Sequence, residues 1–182
     1  MYNKFEYFLN AVHYCLWLID KKYGENINNI INIVTRKLLM NKYGIKYYER
    51  IQNNKKVLDK FFYDKEDGFH VGMANHDFGY FYSCYSISIG FVLFGFIYKD
   101  FNSCKYYDIL STICLAIPVG LGYIPAYKAV FKSNRYVKYF KKFEKKDEVW
   151  HKKWKRITIA FCVGAVVIAI LGICAAFAIA IH

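Results

Sequence analysis

The sequence predicts an all-α fold: a polytopic helical membrane protein with about three transmembrane helices and a small N-terminal cytosolic helical bundle. Three observations predict it. The first is Ile157 to Ile181, ITIAFCVGAVVIAILGICAAFAIAI, 25 residues without a charge. At about 1.5 Å per residue it reaches roughly 37 Å, more than the ~30 Å hydrocarbon core of a bilayer. The second is a pair of further uncharged runs, Phe81 to Tyr98 and Ile109 to Tyr127, separated by the short stretch Lys99 to Tyr106. The third is the placement of charge. Of the net +12, residues 128–156 hold 12 Lys/Arg against 3 Asp/Glu, directly before the most apolar segment. A basic stretch so placed reads as membrane topology.

The chain divides on these grounds into a cytosolic helical region (1–66), a juxtamembrane linker (67–80), a transmembrane helical hairpin (81–127), a basic amphipathic cytosolic connector helix (128–156) and a C-terminal transmembrane helix (157–182). In the first region three helices are expected. Phe5, Phe8, Leu9, Val12, Leu16, Ile19 and Tyr23 recur at helical spacing, and Glu6, Asn10, His13 and Asp20 fall on one narrow stripe with Trp17. Gly24 reads as the C-cap of this helix and Asn26 as the N-cap of the next, which carries Ile27, Ile30, Ile31, Val34, Leu38 and Leu39 to about Tyr43. A third helix is expected from about Ile45 to Tyr63, ended by a turn at Asp64–Gly68. About 65 residues make a marginal core alone, so this bundle should dock on another surface.

The linker, GFHVGMANHDFG at 68–79, carries His70, His76 and Asp77 among three glycines. The glycines argue for a loop. The spacing matches no zinc motif, and no phosphate loop, GxSxG or HExxH occurs. In the hairpin, Pro118 and Pro125 should kink or loosen the second crossing. In the connector, Tyr136, Phe140, Phe143, Asp147, Trp150 and Trp154 follow a heptad-like 4, 3, 4, 3, 4 spacing on a helix otherwise rich in Lys. This seam could rest on anionic lipid headgroups, dock the N-terminal bundle or pair with a copy of itself. Trp150, Trp154, Lys155 and Arg156 form an interfacial anchor before the last crossing. Within it Ala160, Gly164, Gly172, Ala176 and Ala180 share an i, i+4 row, a small-residue surface that lets helices approach closely.

The six Cys form no CxxC pair and four lie in apolar runs, so neither a zinc site nor a disulfide framework is indicated. The N-terminus lacks a basic n-region and a cleavage site, as a signal peptide would need. The Lys/Arg bias puts the N-terminus in the cytoplasm and the C-terminus outside, across the cell membrane or the inner membrane of a bacterium. The partners expected are the lipid bilayer, anionic headgroups at 128–156, and a second copy or another membrane protein. No fold signal points to nucleic acid. No cofactor or metal is expected. The leading reading is a non-catalytic membrane protein that self-associates or serves as a subunit of an assembly. The alternatives are a membrane-permeabilising effector or immunity protein of a bacterial conflict system, which is analogy of layout, and an interfacial enzyme using His70, His76 and Asp77.

Overall fold

The computed structural model describes residues 3–38, 54–101 and 105–181, and over these it is all-helical. In chain order the elements are α1 (Lys4–Leu38), α2 (Lys55–Tyr63), α3 (Phe69–Phe101) and α4 (Tyr107–Ala126). A π-helical turn (Tyr127–Phe131) and a short 3₁₀ turn (Lys132–Asn134) lead to α5 (Arg135–Phe143), and α6 (Glu148–Ile181) completes the chain.

Three stretches are long and apolar enough to cross a membrane: α3, α4 with its continuation to Phe143, and α6. In their most apolar windows only 11%, 6% and 17% of residues are buried. The side chains left outward include Ile89, Leu93, Ile113, Leu121, Val163, Val167 and Ile170. Water is a poor solvent for so much aliphatic surface, whereas lipid is a good one.

The helices meet along narrow seams of small residues. The most extensive pairing is α3 with α6. A Cβ on Gly172 would lie 2.8 Å from Ser88 Cα, and one on Gly95 would lie 2.8 Å from Ala176 Cα, so neither glycine has room for a side chain. The buried positions of α6 are Thr158, Ala165, Gly172 and Ala176, spaced by 7, 7 and 4 residues. Helix α4 packs on α3. Pro118 has no N–H to give the carbonyl of Cys114, and α3 closes over that oxygen: a Cβ on Gly90 would stand 3.0 Å from it. Behind Pro125 the helix loosens into the π-helical turn, closed by the Lys132 N–H donating to the Tyr127 carbonyl.

At one end of these helices lies a single shared core. It combines Leu9, Val12, Tyr14 and Trp17 of α1, Val71 and Phe78 of α3, Ala126 and Val130 around the end of α4, and Tyr136, Phe140 and Phe143 of α5. Tyr7, Phe8, Trp150, Trp154 and Phe161 pack around it. The first half of α1 therefore sits among the ends of the apolar helices. The second half runs beyond them and leaves Tyr23, Ile27, Ile30 and Val34 exposed.

Three sequence expectations are corrected. Gly24 does not end the first helix and Asn26 does not begin another, because α1 is continuous to Leu38. A helical Gly costs about 1 kcal/mol, and the position is Gly because the His70 ring occupies the place of its Cβ. The linker at 67–80 is not a loop beyond Gly68. Helix α3 begins at Phe69, driven by Val71, Ala74 and Phe78, which sit at helical spacing and are buried. The connector at 128–156 is not one helix. Ser133 (φ 57°) and Asn134 (φ 51°) adopt the left-handed conformation that breaks it first. It breaks again at residues 144–147, where the Asp147 carboxylate accepts from the Trp150 N–H (3.1 Å) and caps α6. The described part of the third expected helix, α2, is Lys55–Tyr63. The earlier part of that expected helix, the end of the second one and the Cys104 loop lie outside the described residues. The turn expected at Asp64–Gly68 is present: the Asp64 carboxylate accepts from the Glu66 N–H at 2.7 Å.

Candidate functional site

The stripe on α1 that reads as polar is the one the fold buries. Asn10 and His13 are fully enclosed, and Trp17 nearly so. Asn10 Nδ2 donates to the carbonyls of Glu6 (2.8 Å) and Ala129 (2.9 Å), so it ties α1 to the loosened turn after α4. That carbonyl belongs to the last turn of a helix end, where intrahelical donors run out. The Glu6 carboxylate accepts from Arg135 Nη1 (3.3 Å) and the Tyr139 hydroxyl (3.2 Å) and so holds α5.

His13 stands in an aromatic box. Its ring centroid lies 5.4 Å from Phe78, 5.6 Å from Phe131, 5.4 Å from Tyr136 and 5.2 Å from Phe140. Burial pushes the imidazole down to about 3, against a small opposing effect of the Asn75 amide. The ring is thus neutral at pH 7 and serves as packing. Burial also raises the Tyr14 hydroxyl, and it pushes the Cys15 thiol up to about 11.

His70 turns inward from the first turn of α3. Its Nδ1 is 2.6 Å from Asp20 Oδ2 of α1, and its ring stacks on Tyr63 of α2 at 5.2 Å. Lys21 Nζ lies over the rings of Trp17 (5.3 Å) and Tyr63 (5.6 Å). The Asp20–His70 pair is therefore the clasp where α1, α2 and α3 meet. His76 is exposed, with Nδ1 3.6 Å from Asp77 Oδ1. The three residues singled out in the sequence thus divide between two places. Among the described residues no group of three His, Cys, Asp or Glu is placed to hold a metal ion.

Trp150 and Trp154 face α1. Trp150 Nε1 donates to the Tyr7 hydroxyl (3.0 Å) and its ring stacks on Phe143 at 4.8 Å. Trp154 lies 5.7 Å from Tyr7 and 6.0 Å from Phe8. Lys155 and Arg156 follow directly, the first half-buried and the second exposed. Of the small residues, Gly172 and Ala176 pack on α3, Gly164 faces the Tyr85 hydroxyl, Ala180 is half-buried and Ala160 is exposed. An i, i+4 row drifts around a helix, so its first member leaves the seam that its later members occupy.

Sequence reasoning missed a concave basic surface at the tip of the cap. A cavity of about 420 Å³ is lined by Lys141, Lys142, Lys145 and Lys146. A neighbour of about 280 Å³ shares Lys142 and is lined also by Glu6, Arg135, Lys138 and Tyr139. The basic run was visible in the sequence. Its focus on one turn depends on the break after Phe143. At the opposite end of the molecule an apolar cleft of about 600 Å³ opens between α3 and α6, lined by Phe91, Phe94, Tyr98, Ile173 and Phe177 among others.

No protein-family model matches the chain, and comparison with curated proteins and with solved structures gave no match. The arrangement alone carries the functional reading: three apolar helices, a cap in which α1 ties their ends together, and a basic rim.

Proposed function

We propose that the chain is an integral membrane protein that works by association, as a homo-oligomer or as a subunit of a membrane assembly. The observation that carries the membrane part is the exposure of the three apolar helices, whose hydrophobic windows are between 6% and 17% buried. A monomeric soluble protein rarely exposes apolar patches beyond a few hundred Å². The cap then lies on the cytoplasmic side with its 12 Lys/Arg of residues 128–156, and the C-terminal end of α6 lies outside. Lys128, Lys132, Lys155 and Arg156, close to where the chain leaves and re-enters the apolar layer, are the residues expected to meet anionic headgroups.

The association part rests on α1. The small-residue seam of α6 and the aromatic seam at 136–154 are both used within the chain. What remains outward is the far half of α1, where Tyr23, Ile27, Ile30 and Val34 are exposed at 4, 3, 4 spacing. That spacing is the seam of a helix pair, and a second copy of α1 offers the same seam. The test is the subunit count of the full chain in lipid nanodiscs, with Ile27→Asp/Ile30→Asp beside it. An oligomer that the double variant reduces to monomer supports the proposal. A wild-type monomer overturns the association part, and full extraction by alkaline carbonate without detergent overturns the membrane part.

A further inference from the structure

We propose that the turn between α5 and α6 is a binding site for a soluble, phosphate-bearing polyanion, held by Lys141, Lys142, Lys145 and Lys146. The four side chains line one cavity of about 420 Å³, and no acidic residue lines it. Lys142 Nζ also lies 5.9 Å over the Tyr7 ring, and Lys141, Lys145 and Lys146 complete the lining. Glu144 pairs with Lys65 at 2.7 Å, Glu148 with Lys152 at 2.9 Å, and Asp147 caps α6. Glu6 holds Arg135 and Tyr139. Like charges gathered along one concavity repel one another, and an anion with several charges converts that repulsion into attraction. Lysine serves phosphate as a compact point charge with three donors.

The scaffold is already ordered. Helix α5 buries Tyr136, Val137, Tyr139, Phe140 and Phe143, which fixes the backbone that carries the lysines. The ligand therefore orders side-chain ends and no backbone, which lowers the entropic cost of binding.

Height above the bilayer separates a soluble anion from a lipid headgroup, and this step rests on the membrane reading. Glu148 begins α6 nine residues before Ile157, where the uncharged segment starts. At about 1.5 Å per residue that is about 13 Å of helix. The headgroup layer on each side of the hydrocarbon core is only about 5–7 Å thick. Lys145 and Lys146 precede Glu148 and stand above that layer, in water.

The experiment titrates inorganic tripolyphosphate into the full chain in phosphatidylcholine nanodiscs at 0.15 M salt. Calorimetry and the fluorescence of Trp150, which stacks on Phe143 beside the turn, report binding. The expected result is saturable binding that Lys141→Gln/Lys145→Gln weakens at least tenfold. Lys152→Gln/Lys153→Gln removes the same charge from the neighbouring helix and should change affinity less than twofold. A second pair, Lys145→Gln/Lys146→Gln, guards against misfolding of the first, and circular dichroism checks both. Equal losses in the Lys141/Lys145 pair and the control pair would mean diffuse charge and overturn the site, as would non-saturable binding. A repeat in phosphatidylglycerol nanodiscs separates the sources. Unchanged tripolyphosphate affinity supports a soluble ligand, and its abolition assigns the lysines to headgroups and overturns the proposal. Carbonate extraction fails or succeeds independently, so release of the chain with tripolyphosphate binding intact would sink only the membrane reading.

Discussion

Single residues in the cap have chemical behaviour set by what surrounds them. His13 has no counter-charge in its aromatic box, so only the neutral ring is tolerated there. Its folded value, about 3, lies below the ordinary 6.5. Protons therefore bind the unfolded chain first as pH falls. The contribution of His13 to stability is complete above about pH 6.5 and is lost as pH drops from there toward 3, at about 1.4 kcal/mol per unit. Between pH 6.5 and 5 the loss is about 2 kcal/mol. In His13→Phe this share should vanish, because Phe fits an aromatic box and does not titrate. Thermal melts of both proteins in nanodiscs at pH 7 and 5 measure it; an undiminished acid shift in the variant would assign the effect elsewhere. Cys15 gives a second expectation. It is buried and its thiol is raised to about 11, so the nucleophilic thiolate is scarce and enclosed. Maleimide should leave it unmodified in the folded chain and label it once denaturant opens the cap.

At the scale of elements, helix existence was legible in the sequence where apolar spacing was long and regular, and helix ends were not. The final apolar helix needs no tertiary information, since 25 uncharged residues make it long and apolar enough to cross a membrane. The Gly24 and Gly68–Gly79 errors have different causes: a Cβ on Gly72 would meet nothing within 4 Å and one on Gly79 only ordinary contact with Tyr123, so there the buried Val71, Ala74 and Phe78 override the glycines. Glycine marks a loop only when nothing else needs its small size, and Gly24 makes room for His70, a partner 46 positions away. The partners of the polar stripe of α1 were not legible either. Asn10 and Glu6 find their partners on the π-helical turn after α4 and on α5, which periodicity cannot see. The small-residue row of α6 shows how fine the distinction is. Gly172 touches the α3 backbone whereas Ala160 is exposed on the same helix. Gly172→Leu should push α3 and α6 apart and cost several kcal/mol, in line with severe overpacking. Ala160→Leu should stay within about 0.5 kcal/mol, as exposed substitutions do. Equal effects in a thermal melt would mean that the α3–α6 seam runs elsewhere.

For the whole molecule the deciding question is which solvent meets each part of the surface, and α6 poses it along its own length. Val149 and Val167 are both exposed valines of this helix, at 73% and 48%. Both face outward, Val149 the more so. Val149 lies beside the lysine turn, whereas Val167 lies ten residues into the uncharged segment, about 15 Å along the helix axis. In water a lysine would be tolerated at both, slightly less well at Val149 in the first turn of α6. In a bilayer, Val167→Lys places an ammonium near the midplane at a cost of about 2.5–3.5 kcal/mol by insertion scales, while Val149→Lys adds one more cation to a side already rich in them. The expected outcome is normal membrane accumulation of Val149→Lys and a marked loss of inserted Val167→Lys, read by the fraction of chain that resists carbonate extraction. The substitution is the same at both positions, and the helix macrodipole disfavours a cation in the first turn at Val149, so a preference for Val149→Lys reports the surrounding medium. Equal tolerance at the two positions would mean that the outward rows of α3, α4 and α6 are covered by protein and not by lipid.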